Sequence, residues 1–152
     1  MGENRYKFLP GGLSARVILG RSSSKEARPM LYAFLCYNSE DVVFSWTQAE
    51  DDAVMAKLHV VHEKVAKAGK LGPSLRLLPT TAATTLRKDG DPPLIVDGPY
   101  AETKEQLLGL YVMDCDDLED ALSIARDLAK ANPGGAYEIR PIRLYLPGGQ
   151  VG

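Results

Sequence analysis

The sequence predicts an α+β domain with the element order β-α-β-(hairpin)-β-α-β, and three features carry that reading. Residues 30–37 (MLYAFLCY) and 107–115 are apolar runs of the length and composition of strands buried on both faces. Each is followed by a stretch of helical periodicity that opens on a cap signal. Between them lies a segment broken by Pro, Gly and Asp turn clusters.

Taken in order, residues 1–29 hold Gly11-Gly12, the run Ser22-Ser23-Ser24 and scattered basic side chains, with weak periodicity. They read as an N-terminal extension, flexible or upstream of a natural start at Met30, with the globular unit spanning 30–147. The first strand, central in its sheet, is followed by a polar loop at 38–41. Thr47 and Glu50 then have the spacing of a capping box, and Asp51 and Asp52 suit the positive end of a helix dipole. That helix runs to about Ala68 with Gly69 behind it, and Val54, Leu58, Val61 and Val65 form its inward stripe. Residues 75–78 and 82–87 are extended, 88–93 (KDGDPP) form a hairpin turn, and 94–96 return. After the strand 107–115, Asp116 with Glu119 caps a second helix of about fifteen residues. Its stripe is Leu118, Ala121, Leu122, Ala125, Leu128 and Ala129. Pro133-Gly134-Gly135 ends it, and residues 136–145 alternate as an edge strand interrupted by Pro141. The pattern is that of a ferredoxin-like split βαβ fold with an inserted hairpin.

Composition bounds the function. The 152 residues carry a net charge of −2, with 45% hydrophobic and 25% charged side chains, the profile of one globular domain. Such a balance argues against nucleic acid as the main partner. No apolar run reaches the roughly 18 residues of a membrane span, and residues 17–19 are too short a patch for a signal peptide, so a cytoplasmic protein is expected. Cys36 and Cys115 have neither disulfide-framework nor zinc spacing. As ends of adjacent strands taken to be parallel, they are expected to lie close together, buried and reduced.

The most site-like stretch is Asp97-Gly98-Pro99-Tyr100-Ala101-Glu102-Thr103-Lys104-Glu105, directly before the second core strand. Pro99 fixes its own φ and Gly98 can take positive φ, which makes a rigid corner bearing Asp97, Tyr100, Glu102 and Lys104. Glu102 and Lys104 suit a polar or anionic ligand, or simply pair on the surface. The only histidines, His59 and His62, are neighbours on one face of the first helix, where an imidazole near pKa 6.5 can act as acid or base. A surface pairing of His59 with Glu63 is the alternative. His-x-x-His-Glu lacks metal-site order, so no metal is expected. Arg140, before Pro141, can hold a carboxylate or neutralise Asp97 or Glu102.

The string Asp97-Gly98-Pro99-Tyr100-x-Glu102-x-Lys104-Glu105, with Gly109 and Glu138-Ile139-Arg140-Pro141-Ile142, resembles the DGPF-motif branch of the YCII-related family, with Tyr100 where the motif usually has Phe. The resemblance covers residues 30–145. It implies a ferredoxin-like domain pairing through its sheet into a dimeric α+β barrel, and a relation to muconolactone isomerase-like and chloromuconolactone dehalogenase-like enzymes. It further implies a histidine–aspartate active site, with Asp97 as the aspartate and His59 the nearest match to a histidine on the first helix. Some members are encoded beside, or fused to, extracytoplasmic-function sigma factors.

Two functions follow as expectations. One is a cofactor-free small-molecule enzyme, a homodimer using Asp97 and His59 or His62 for acid–base chemistry. The other is a non-catalytic module whose corner contacts a sigma factor. Phe44 and Trp46 would serve either, as a lid or as an interface anchor.

Overall fold

Every strand of the central sheet runs antiparallel to its neighbours, in the order β4-β7-β3-β8. The computed structural model describes residues 6–8, 14–17 and 30–151. β3 (Met30–Asn38) and β7 (Gln106–Cys115) form the middle, flanked by β4 (Leu71–Arg76) and β8 (Ala136–Pro141). Helices α2 (Gln48–Lys67) and α3 (Leu118–Ala131) supply the connections, and a short α1 (Glu40–Val43) precedes α2. β3 and β4 each pair antiparallel with β7, so they run parallel to each other with β7 inserted between them. This is the expected split βαβ, ferredoxin-like arrangement.

That topology overturns the expected meeting of the cysteines. Cys36 lies opposite Gly109 and Cys115 opposite Met30. Gly109 and Cys115 are six residue steps apart along β7, about 20 Å at the usual rise. The reason is that β7 returns after β4 and runs against both β4 and β3, which puts the C-terminal ends of β3 and β7 at opposite ends of the sheet.

The helix-facing side of the sheet alternates as the pleat requires. Tyr32, Phe34, Tyr111, Met113 and Cys115 meet Leu58 and Val65 of α2 and Ala121, Ile124, Leu128 and Ala131 of α3. The capping box is present: Thr47 Oγ1 accepts from the Glu50 N–H at 3.3 Å and Glu50 Oε2 accepts from the Thr47 N–H at 2.7 Å. Gly69, at φ +71, closes α2 in the left-handed region. For α3 the cap is Asp117 rather than Asp116, its Oδ1 accepting from Asp120 N–H at 2.8 Å. The inward stripe shifts as well: Leu118 is 52% exposed while Ile124 is buried. A 3.6-residue period allows either stripe, and packing against α2 and the sheet selects the one that holds Ile124 and Ala131.

β4 begins earlier than its apolar residues suggest, at Leu71-Gly72-Pro73. Its register with β7 shifts between Leu71 and Ser74, and Pro73, without an N–H, is tolerated because β4 is an edge strand. β5 (Thr84–Arg87) and β6 (Leu94–Asp97) form the expected hairpin, a two-stranded sheet of its own behind a 3₁₀ turn at Thr80–Ala82. Of residues 1–29 the structure describes only β1 (Tyr6–Phe8) and β2 (Ser14–Val17), which make a three-stranded sheet with β9 (Leu144–Tyr145). The rest of the expected extension lies outside the described residues. No helix among the described residues is long and apolar enough to cross a membrane.

Candidate functional site

A cavity of about 440 Å³ lies between α2, the segment after α1 and the helix-facing side of the sheet. Its volume is in the range of small-molecule sites. Phe44, Trp46, Val54, Met55 and Leu58 make an apolar and aromatic wall. The segment carrying Phe44 and Trp46 is fastened at its start by Glu40. Glu40 accepts hydrogen bonds from both the N–H (2.9 Å) and the hydroxyl of Thr80, and its own N–H donates to Gln106 Oε1 at 3.0 Å.

Polar groups of the cavity come from α2 and from the sheet. His62 follows Leu58 by one helical turn, and Tyr111 shares its face of β7 with Gly109 and Met113, so both side chains enter the same space. His62 Nε2 lies 2.9 Å from Tyr111 Oη, with the rings edge to face at 5.3 Å between centroids. Burial, and then the neighbouring His59, hold the His62 pKa below its ordinary value. Burial pushes the Tyr111 phenol well above its usual range. At neutral pH the pair is therefore an uncharged imidazole and a protonated phenol sharing one hydrogen bond.

Arg76, at the end of β4, meets Asp51, in the first turn of α2, through both carboxylate oxygens, at 3.2 Å from Nη1 and 2.9 Å from Nη2. The two residues line the same cavity. Cys36 lines it too, but burial raises its thiol to about 12 and its Sγ–H points to Phe34 O at 3.7 Å, so it offers no thiolate.

The Asp-Gly-Pro corner lies elsewhere. Gly98 takes φ +112, and its N–H donates to Ala83 O at 2.8 Å while its carbonyl accepts from Thr85 Oγ1 at 2.8 Å. The rigid corner is thus built by backbone bonds to β5 and its approach. Asp97 is exposed and, with Glu102, Thr80 and Gln106, lines a separate, more polar depression of about 490 Å³. Tyr100 is 75% exposed and lies under the Arg87 guanidinium, 5.3 Å from the ring centroid. Lys104 is exposed and lines neither cavity. His59 sits on the solvent face with Nε2 3.3 Å from Glu63, the surface pairing. Arg140 is exposed on β8, 3.9 Å from Glu138. It alternates with Tyr137 and Ile139, which pack on the core, so it faces the other side of the sheet from His62. Within one chain, then, Asp97 and His62 line different cavities. The cause is that β6 belongs to the separate hairpin, not to the sheet that α2 covers.

A model of the YCII-related domain matches residues 30–145. The chain belongs to the YCII-related family. It is 57% identical over 120 residues to an uncharacterised protein of Rhizobium meliloti (strain 1021), covering 78% of this chain and 97% of that protein. The YCII-related span contains every residue that lines the two cavities. Among the described residues, no three His, Cys, Asp or Glu side chains gather as a metal site would need.

Sequence reasoning finds His62 in this YCII-related domain but misses Tyr111, Arg76 and Asp51. Tyr111 carried a signal: a phenol inside an otherwise apolar strand needs a hydrogen-bond partner when buried. Asp51 reads in sequence only as a helix-dipole residue. Arg76 sits in the middle of a run of leucines with nothing local to mark its partner.

Proposed function

We propose that this YCII-related protein is a small-molecule enzyme whose acid–base pair is His62 and Tyr111. The observation that carries the reading is the 2.9 Å His62–Tyr111 hydrogen bond in the wall of a ligand-sized, aromatic-lined cavity. A neutral imidazole offers one N–H and one lone pair. With Nε2 accepting from the phenol, a substrate proton enters on Tyr111 Oη as the phenol's own proton passes to His62. Return of the proton to another carbon of the substrate completes an isomerisation. Its transfer to a group whose bond to the substrate breaks, and which departs in protonated form, completes an elimination. Positioned groups of this kind contribute about 10²–10⁴-fold. Asp97 stays outside this step, as a binding group of the polar depression beside Glu102.

A homodimer fits the same reading. Leu94 and Ile95 of β6 are 58% and 65% exposed and Leu78 78%, apolar surface that a second copy would cover. The same hairpin would suit a sigma-factor contact, but such a module has no use for an imidazole–phenol pair in a cavity.

The test is hydrogen–deuterium exchange by NMR in D₂O on a panel of small cyclic ketones, enols and lactones. Exchange that falls about 100-fold in both His62→Gln and Tyr111→Phe supports the pair. No exchange across the panel, or exchange unaltered in the two variants, removes it.

A further inference from the structure

We propose that the His62–Tyr111 cavity takes a small planar carboxylate, with its anionic group on Arg76 and its ring against Trp46 and Phe44. The inference rests on the reading of that cavity as a small-molecule site and adds the class of molecule it holds.

Asp51, His62 and Arg76 line the cavity beside a thiol and three phenols, of Cys36, Tyr37, Tyr111 and Tyr137. Burial favours the uncharged form of His62, which leaves Arg76 as the fixed positive charge in the wall. A guanidinium presents five N–H donors in a rigid fork, and Asp51 takes two of them, from Nη1 and Nη2. Asp51 thereby holds the plane of the fork without using all its donors. The side chain of Arg76 is 54% exposed against 28% for Asp51, so the guanidinium is the more accessible partner of the two. A planar carboxylate matches the geometry of such a fork better than a neutral amide does.

The position of Arg76 also fits the chemistry of the pair. Arg76 and Tyr111 line the same cavity from neighbouring strands, with Arg76 opposite Gly109 and Ser74 opposite Tyr111. An anion seated on Arg76 therefore places the adjoining part of the molecule on the side of the cavity that holds Tyr111. The rest of the wall sets the shape. Phe44, Trp46, Tyr37 and Tyr137 present aromatic surface, which suits a flat ring that stacks or meets their edges. A volume of about 440 Å³ is at the lower end for ligand pockets, so a single ring with its carboxylate is the scale of molecule implied.

Trp46 is the one tryptophan of the chain and lines the cavity, so its fluorescence reports occupancy. The experiment titrates the full chain with benzoate and with benzamide, its uncharged counterpart of the same shape, and repeats both in Arg76→Gln. The expected result is benzoate binding about tenfold tighter than benzamide, the preference falling to about threefold or less in Arg76→Gln. Arg76→Lys, which keeps the charge without the fork, should show an intermediate preference. Equal binding of the two probes by the wild-type protein overturns the inference and leaves the cavity a small-molecule site, and this comparison needs no variant to fold. A preference that survives in Arg76→Gln overturns it in the same way. No Trp46 response to either probe overturns both the inference and the reading of the cavity on which it rests.

Discussion

Gly109→Ala is the substitution whose cost the structure sets most directly. A Cβ built at Gly109 would stand 2.3 Å from Leu75 O and 3.3 Å from Arg76 Cα, and both are backbone atoms. Ordinary contacts begin near 3.4 Å, so β4 and β7 would have to separate locally by about 1.1 Å. No side chain can yield in their place. The Leu77 N–H donates to Leu108 O at 2.8 Å beside this point, and lengthening that bond by the same amount breaks it. Overpacking of a closed core costs about 1–3 kcal/mol, and one lost backbone bond about 1 kcal/mol more. A loss of about 3 kcal/mol corresponds to a fall in Tm of about 6–12 °C for a domain of this length. Thermal melts by circular dichroism measure it, with Gly149→Ala as control, since a Cβ there meets nothing within 4 Å. The displacement also moves Arg76, so the benzoate preference should weaken alongside stability. A Gly109→Ala protein melting within about 2 °C of wild type would refute the close-approach argument.

Three further outcomes follow from the same geometry. The His62 pKa is lower in the folded protein than in the unfolded chain, so protonation favours unfolding. Its contribution to stability is fully present above the unfolded value near 6.5 and is lost as pH falls through the folded one. Melting temperature should therefore drop between about pH 7 and pH 5 less steeply in His62→Gln than in wild type, and equal slopes would sink the assignment. Asp97→Asn should leave the NMR titration of His62 unchanged and cost under about 1 kcal/mol, because backbone bonds hold the corner; a fall in the His62 pKa would show that the two groups do meet. Cys36 and Cys115, both raised to about 12 by burial, should react slowly with a thiol reagent until the chain unfolds, and two fast thiols in the native protein would contradict their placement.

Local chemistry settled much of this chain in advance. The apolar runs at β3 and β7, the Thr47–Glu50 box, the Asp89-Gly90 hairpin and the Pro133-Gly134-Gly135 stop are each legible in a few neighbouring residues. Together they point to the split βαβ order. The Asp97-Gly98-Pro99 corner was equally legible as a rigid turn, since Gly98 needs its positive φ and Pro99 its fixed one. Strand pairing was not local. Which strands run against which depends on where β7 inserts, and that alone separated Cys36 from Cys115. The cavity was decided at the same level. His62 and Tyr111 are 49 residues apart in sequence, and Arg76 and Asp51 are 25. Side chains on a helix and on two strands acquire a common wall only when α2 lies across β7 and β4. A corner announces itself because its residues bend the backbone where they stand. A cavity gathers residues that have no effect on one another until the sheet and helix close around them.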